Sequence, residues 1–318
     1  MGCDRDGRSC RSAAPRRRGR GRGAKNSAQE SAYLLASSEN TPRALEWLLA
    51  NGGELNDKDS FNGTALIRAV ERGQARSVGL LIQKGIDLNH ANNLGWQASH
   101  EAIWLGSDED GHVDTIFALI AAGAELDRPS TPQGKTPRQM AEEKGHARQL
   151  AALTSAESPV DAYEANATLL SASRDWNAVL AARALRDGAD LETRDESDRT
   201  PLLLAATHDR LEAARLLVHL GADVNAVDNQ RDTHWLVTGV TGSVEMGTIL
   251  SWAHPDLKAR NRHGGISVIP ASERGHVDYV KWVVQNTDTD VNHVNDLAWT
   301  TLLEAIILGD EVESLIVV

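Results

Sequence analysis

The sequence predicts an all-α solenoid of stacked helix-turn-helix units with projecting β-turn or hairpin fingers. Three observations predict it. A short polar phrase recurs about every 33 residues, an apolar stripe at helical spacing precedes it, and a threonine-led start opens a second helix before that. The phrase reads Gly53-Glu54-Leu55-Asn56, Gly85-Ile86-Asp87-Leu88-Asn89, Gly123-Ala124-Glu125-Leu126-Asp127, Gly188-Ala189-Asp190-Leu191 and Gly221-Ala222-Asp223-Val224-Asn225, with weaker copies at Pro255-Asp256-Leu257 and Thr289-Asp290-Val291-Asn292. Its acidic residue falls at 54, 87, 125, 190, 223, 256 and 290, so the gaps are 33, 38, 65, 33, 33 and 34. The 38 is one period with an insertion, marked by the acidic stretch 107–110. The 65 is two periods, the phrase between them being lost at residues 155–160. A fixed period of this length is the signature of a repeat array, here expected as one continuous stack.

Each element has a local cause. Val113, Ile116, Leu119 and Ile120 recur as Leu211, Ala214, Leu217 and Val218, and again as Val277, Val280, Val283 and Val284. Spacings of three and four residues put each set on one helical face. The glycine that follows suits the left-handed conformation in which helices end. In Thr200-Pro201-Leu202-Leu203-Leu204-Ala205-Ala206, threonine caps the shorter helix and proline takes its first position, where the missing N–H costs nothing. Thr136-Pro137 and Thr64-Ala65-Leu66 open further copies. Alone, such a unit cannot hide its stripe; stacked neighbours bury a shared one. The stretch from Thr233 to Gly242, rich in β-branched residues and glycine, is expected to be the weakest helix. Pro270 falls in a first helical turn and should be tolerated there.

Thr200-Pro201-Leu202, Ala205-Ala206, Glu273-Arg274-Gly275-His276 and Gly221-Ala222-Asp223-Val224-Asn225 resemble the ankyrin repeat. The resemblance implies an ankyrin-repeat solenoid of about nine copies over residues 28–318. They are placed at 28–58, 59–91, 92–130, 131–160, 161–195, 196–228, 229–261, 262–295 and a truncated 296–318, behind a basic tail at 1–27. A longer echo lies inside the array. Residues 87–107 match residues 290–310 at 11 of 21 positions, including Asn89/Asn292, His90/His293, Trp96/Trp299 and Glu101/Glu304. The wording Asn-His-x-Asn-x-Leu-x-Trp is similar to that of some bacterial ankyrin-repeat proteins.

Composition excludes several kinds of chemistry. Cys3 and Cys10 are the only cysteines, which rules out a disulfide framework or a four-cysteine zinc site. No apolar run approaches the ~20 residues of a membrane helix. The formal charge is −12. It divides into nine basic against two acidic residues in positions 1–25, and 24 basic against 43 acidic in the rest. An acidic body is a poor nucleic-acid binder, because phosphate contacts need basic groups. Contact with nucleic acid or an anionic membrane is therefore assigned only to the arginine-rich tail, Arg16 to Gly23. His100-Glu101-Ala102-Ile103-Trp104 starts like the zinc-protease motif but lacks its second histidine. His100 instead holds the place where ankyrin repeats, by resemblance, bridge loops through histidine. The glycines of Val237-Thr238-Gly239-Val240-Thr241-Gly242-Ser243 fit neither nucleotide-loop spacing.

The functional expectation is a non-catalytic protein-interaction scaffold in the cytoplasm, or also the nucleus in a eukaryote. It has no cofactor, no metal and no small-molecule substrate. The alternatives are a regulatory or inhibitory subunit of one enzyme and, remotely, an enzyme with an unrecognised site. Partner-binding candidates are Phe61, Trp96, Trp104, Arg199, Asp232, Arg262, His263 and Trp299. Trp96 and Trp299 share one repeat position, and two readings of them stay open: anchors on the fingers, or rings packed between adjacent fingers. Trp47 and Trp282 are expected in the core. Val312, Leu315 and Val318 begin a long-helix stripe without a capping repeat, so self-association through the C-terminus is a further expectation.

Overall fold

The computed structural model describes residues 24–131 and 133–307. The expectations for the basic tail and for Val312, Leu315 and Val318 lie outside the described residues. The helices come in pairs: α1 (Ala32–Ser38) with α2 (Pro42–Ala50), α3 (Ala65–Glu71) with α4 (Ala75–Gln83), α5 (Ala98–Trp104) with α6 (Asp110–Ala121), and α7 (Pro137–Lys144) with α8 (Ala147–Ala156). Four more follow: α9 (Ala165–Arg174) with α10 (Ala178–Arg186), α11 (Pro201–Thr207) with α12 (Leu211–His219), α13 (His234–Thr241) with α14 (Val244–Ser251), and α15 (Val268–Glu273) with α16 (Val277–Asn286). A last first helix, α17 (Thr301–Ile307), opens a ninth unit. Among the described residues the extended structure is confined to three isolated bridges, Lys25–Ser31, Lys58–Thr64 and Val227–Thr233, each closing a finger. No described helix is long and apolar enough to cross a membrane.

The starts of the first helices follow the sequence pattern. The hydroxyls of Ser31, Thr64, Thr136, Thr200 and Thr233 each accept from the amide three residues on, at 3.2–3.4 Å. Each satisfies one of the helix's orphan donors. The helix from His234 to Thr241 is regular despite its composition, because packing overrides propensity. A Cβ on Gly239 would lie 1.9 Å from the carbonyl oxygen of Ser267, so glycine is what lets α13 meet the start of α15. The insertion at 107–110 lengthens the turn between α5 and α6. Asp108 accepts from the amides of Arg148 and Gln149 at 2.9 and 3.1 Å, and so caps α8 from the neighbouring unit.

The expectation of one continuous stack is corrected by the helix packing. First helices pack in two separate rows, α1-α3-α5-α7 and α9-α11-α13-α15-α17. The row breaks between α7 and α9, where the sequence has lost its phrase at 155–160. There the chain turns back, so that α10 lies against both α8 and α6, and α12 against both α6 and α4. The second helices of the two stacks are therefore packed back to back, and the first-helix rows lie away from that seam.

The residues at the seam account for it. In α6 every residue from Val113 to Ile120 is buried, as expected of a helix covered on both sides. α10 offers Ala178, Ala181, Ala182 and Ala184, all buried, and α4 offers Ser77 and Gly79. A Cβ on Gly79 would sit 2.2 Å from the carbonyl oxygen of His219, an oxygen that accepts from Gln83 Nε2 at 2.8 Å. Arg215 pairs with Asp114 at 2.7 Å and with Asp110 at 3.3 Å. Arg148 bridges Asp110 and Glu212 at 2.8 and 2.5 Å. Arg186 donates to the carbonyls of Ile120 and Ala124 at 3.4 and 2.8 Å, at the negative end of α6. Burial pushes the Asp114 carboxyl up to about 6, against the opposing pull of Arg215.

Trp47 departs from expectation. Leu45 takes the interior position in α2, while Trp47 is 61% exposed. Trp282 is half-buried, its ring 6.2 and 6.3 Å from those of Trp235 and Tyr279.

Candidate partner-binding surface

Seven of the fingers are built on one turn. An Asn or Asp side-chain oxygen accepts from the amides two and four residues on, a local bond that shapes the loop. Asn26 holds Ala28 and Glu30, Asp59 holds Phe61 and Gly63, Asn92 holds Leu94 and Trp96, and Asp195 holds Ser197 and Arg199. Asp228 holds Gln230 and Asp232, Asn261 holds His263 and Gly265, and Asn295 holds Leu297 and Trp299. All these bonds measure 2.8–3.1 Å. Between the two held amides the chain turns left-handed, with φ between +60° and +72° at Gln29, Asn62, Gly95, Asp198, Arg231, Gly264 and Ala298. Ser130 opens a looser version in the fourth unit, where its carbonyl accepts from the Gly134 amide at 2.9 Å. Neighbouring fingers are stitched together by single backbone bonds: Ser60 to Ala28, Asn93 to Phe61, Asn229 to Ser197 and Asp296 to His263, at 3.0–3.2 Å.

This turn sorts the candidates. The second residue after the Asx is the fingertip, and the fourth folds back towards the helix. Phe61 and His263 are tips and exposed, Phe61 by 61%. Trp96, Arg199, Asp232 and Trp299 all hold the folded-back place. Trp96 is only 5% exposed; its Nε1 donates to Gln133 of the next finger at 3.0 Å, and its ring meets Trp104 edge-on at 5.9 Å. For Trp96 the packing alternative describes the surroundings, and its ring is not on the surface. Trp299 is half-buried at the last described finger. Arg199 is paired to its own Asp195 at 2.7 Å. Asp232 is half-buried, and burial, then the charge of Asp228, raises its carboxyl above the ordinary range. Arg262 is exposed beside its tip and donates to Gln230 of the preceding finger. Trp104 lies on α5, half-buried, with Lys144 Nζ 4.4 Å from its ring centre.

Sequence reasoning missed two tips, Leu94 and Leu297, which are 53% and 65% exposed. The signal was present in the echo, as the leucine of Asn-His-x-Asn-x-Leu-x-Trp. Most other residues of that echo brace the finger. His90 and His293 Nε2 each lie 2.7 Å from a carbonyl of the preceding finger, that of Asn62 and that of Gly264. Asn92 donates to Glu101 at 2.6 Å, and Asn295 to Glu304 at 3.5 Å. Burial, and then the charge of Glu71, pushes Glu101 up to about 7. His100, fully buried, accepts from the Gln97 amide and sits 3.1 Å from the Arg128 carbonyl, tying two loops; His234 does the same between Thr200 and Val224.

Helix pairs in register, joined by fingers of one repeated turn, define an all-α repeat protein. The comparisons with known proteins agree. Residues 33–130 match the family of ankyrin repeats as three copies, and residues 197–229 match a single ankyrin repeat. Residues 33–130 and 197–229 are thus ankyrin repeats. Over 123 residues it is 34% identical to the ankyrin repeat protein YahD of Escherichia coli (strain K12), which covers 39% of this chain and 61% of YahD. It is also 25% identical over 264 residues to the ankyrin repeat and KH domain-containing protein mask-1 of Caenorhabditis elegans, covering 81% of this chain and 10% of that protein. The chain thus spans less than two thirds of the length of either relative. Ankyrin-repeat proteins are protein-interaction scaffolds and are generally non-catalytic.

Proposed function

We propose that this chain is a non-catalytic scaffold that holds a partner protein on its fingertips and on the adjoining first-helix face. The observation that carries the reading is the pair Phe61 and Leu94. They are large exposed apolar side chains on neighbouring fingers, and their backbones are fixed by Asx turns and joined by the bond from Asn93 to Phe61. Apolar anchors on a rigid support bind without a large ordering cost. Trp104 lies on the face behind them. His263, Arg262 and Leu297 form a second tip group in the other stack, on a different first-helix row, which makes the scaffold two-sided. Arg199, Asp232, Trp96 and Trp299 support the tips by position. The dispersed acidic charge of the body favours basic partners in the approach.

The test is affinity capture from a lysate with wild type, with a Phe61→Ser/Leu94→Ser double variant and with Trp96→Ala. The tip variant should keep its unfolding free energy within about 0.5 kcal/mol, as surface changes do, and lose captured protein about tenfold or more. Trp96→Ala should lose about 3–5 kcal/mol of stability instead, as a buried aromatic does. Undiminished capture by a folded tip variant would remove the tips from the reading.

A further inference from the structure

The far end of the seam between the two stacks is not closed. There α2 and α4 face the C-terminal ends of α12 and α14 across a cleft with adjoining volumes of about 190 and 510 Å³. The larger falls in the range of small-ligand pockets. Its walls carry Arg43 and Arg76 on one side and His219, Trp252 and His254 on the other. Glu46 is the one acid among the lining residues, and it is exposed.

Four features set this cleft apart from the rest of the seam. The first is its arginines. Arg148, Arg186 and Arg215 each end on carboxylates or helix carbonyls. Arg76 is half-buried and makes no ion pair or hydrogen bond among the described residues; its guanidinium carbon lies 5.2 Å from the Trp252 ring centre. The second is the start of α2. The Thr41 hydroxyl donates backwards to the Ala36 carbonyl at 3.1 Å, so it does not cap, and the first-turn amides of Arg43 and Ala44 have no partner among the described residues. Such amides form a ready anion site.

The third is His219. It is 95% buried, its ring stacked flat on Trp252 with centroids 5.6 Å apart, and its two ring nitrogens, both enclosed, have no hydrogen-bond partner among the described residues. Natural cores seldom leave such groups orphaned. The fourth is the field. Burial and the neighbouring Arg43 lower the Arg76 guanidinium from its ordinary value. Burial, then Arg215 and Arg76, lower the His219 imidazole to about 3. A locally uncompensated positive field in a chain of formal charge −12 points to a ligand of opposite sign.

We propose that this cleft binds a small oxyanion, a phosphate- or carboxylate-bearing metabolite, held by Arg43, Arg76 and the first-turn amides of α2 against the Trp252 ring. Guanidinium groups suit both anions, which they grip with paired N–H donors. The ligand would touch the first two units and the sixth and seventh together. It therefore clamps the two stacks at the end where few side chains join them, and binding stabilises the back-to-back array. No reaction is involved.

The experiment uses the full chain, titrated by calorimetry and by thermal unfolding with sodium phosphate, sodium citrate and sodium chloride at matched ionic strength. Saturable binding of phosphate or citrate, with a rise in Tm that chloride does not give, is the expected result. Whichever anion binds identifies the headgroup. Arg76→Gln should weaken that binding about tenfold, and the exposed Arg43→Gln similarly, as loss of one charge-assisted contact does. Arg72→Gln, an exposed arginine that does not line the cleft, should bind as wild type. No saturable binding of either anion up to about 10 mM, a rise equal to that in chloride, or undiminished binding by both cleft variants overturns the proposal.

Discussion

Replacing Gly79 by alanine separates an open stack from a back-to-back one by the sign of its effect. In an open stack the outer face of α4 meets water, and Gly→Ala in a helix interior stabilises by roughly 0.5–1 kcal/mol through backbone entropy. Gly79 is helical, without the positive φ that would penalise a side chain. In the structure, however, the added Cβ would lie 2.2 Å from His219 O, 2.7 Å from its carbonyl carbon and 3.0 Å from its Cα. Those are backbone atoms, and no rotamer relieves them. An ordinary contact needs α4 and α12 to part by about 1 Å, which strains the 2.8 Å bond from Gln83 to His219 and the pairing of Arg215 with Asp114. Overpacking of this kind costs about 1–3 kcal/mol, which exceeds the helix gain, so the expected net is a loss of about 1–2 kcal/mol. Urea denaturation followed by far-UV circular dichroism measures it, with the midpoint read at constant slope. A midpoint that rises would refute the packing of α4 on α12.

Arg215→Met leaves Asp114 buried without its cation and should cost about 2–4 kcal/mol near neutral pH. Asp114 already has a raised folded pKa, and losing Arg215 raises it further, so the loss should shrink below pH ~5, where the carboxyl is protonated in folded wild type and folded variant alike, and grow as pH rises past ~6. Equal destabilisation at pH 5 and pH 8 would contradict it. Glu101→Gln keeps a hydrogen-bond acceptor for Asn92 but removes the titration. Because the folded pKa of Glu101 is raised to about 7, wild type loses stability as pH rises from its unfolded value towards 7. The variant should gain roughly 1–2 kcal/mol over wild type at pH 8 and little at pH 4.5, read from thermal unfolding at each pH.

The repeat unit was legible because its causes are local. The Thr200-Pro201 start, the stripe from Val113 to Ile120 and the glycine after it each act within one or two helical turns. The fingers were half legible. Their place followed from the period, but the candidates mixed the tips Phe61 and His263 with the folded-back Trp96, Arg199, Asp232 and Trp299, and the two readings of Trp96 and Trp299 stayed open. The Asx at 59, 92, 195, 228, 261 and 295 fixes which side chain points out, and it recurs plainly once its bonds are known. The unbroken buried run in α6 and the alanines of α10 gained their meaning only from the packing, since neither breaks the local helix pattern.

By itself the sequence determined the period, the helix pairs, their caps and the kind of surface they present. The tertiary structure alone decided that the array turns back at 155–160, that the outer helices form a seam, that Trp47 is outside and Trp96 inside, and that Arg76 pairs with no carboxylate among the described residues. Helices and turns are chosen by neighbours in the chain. A seam joining Gly79 to His219, 140 positions apart, depends on shape complementarity between surfaces that no local period describes.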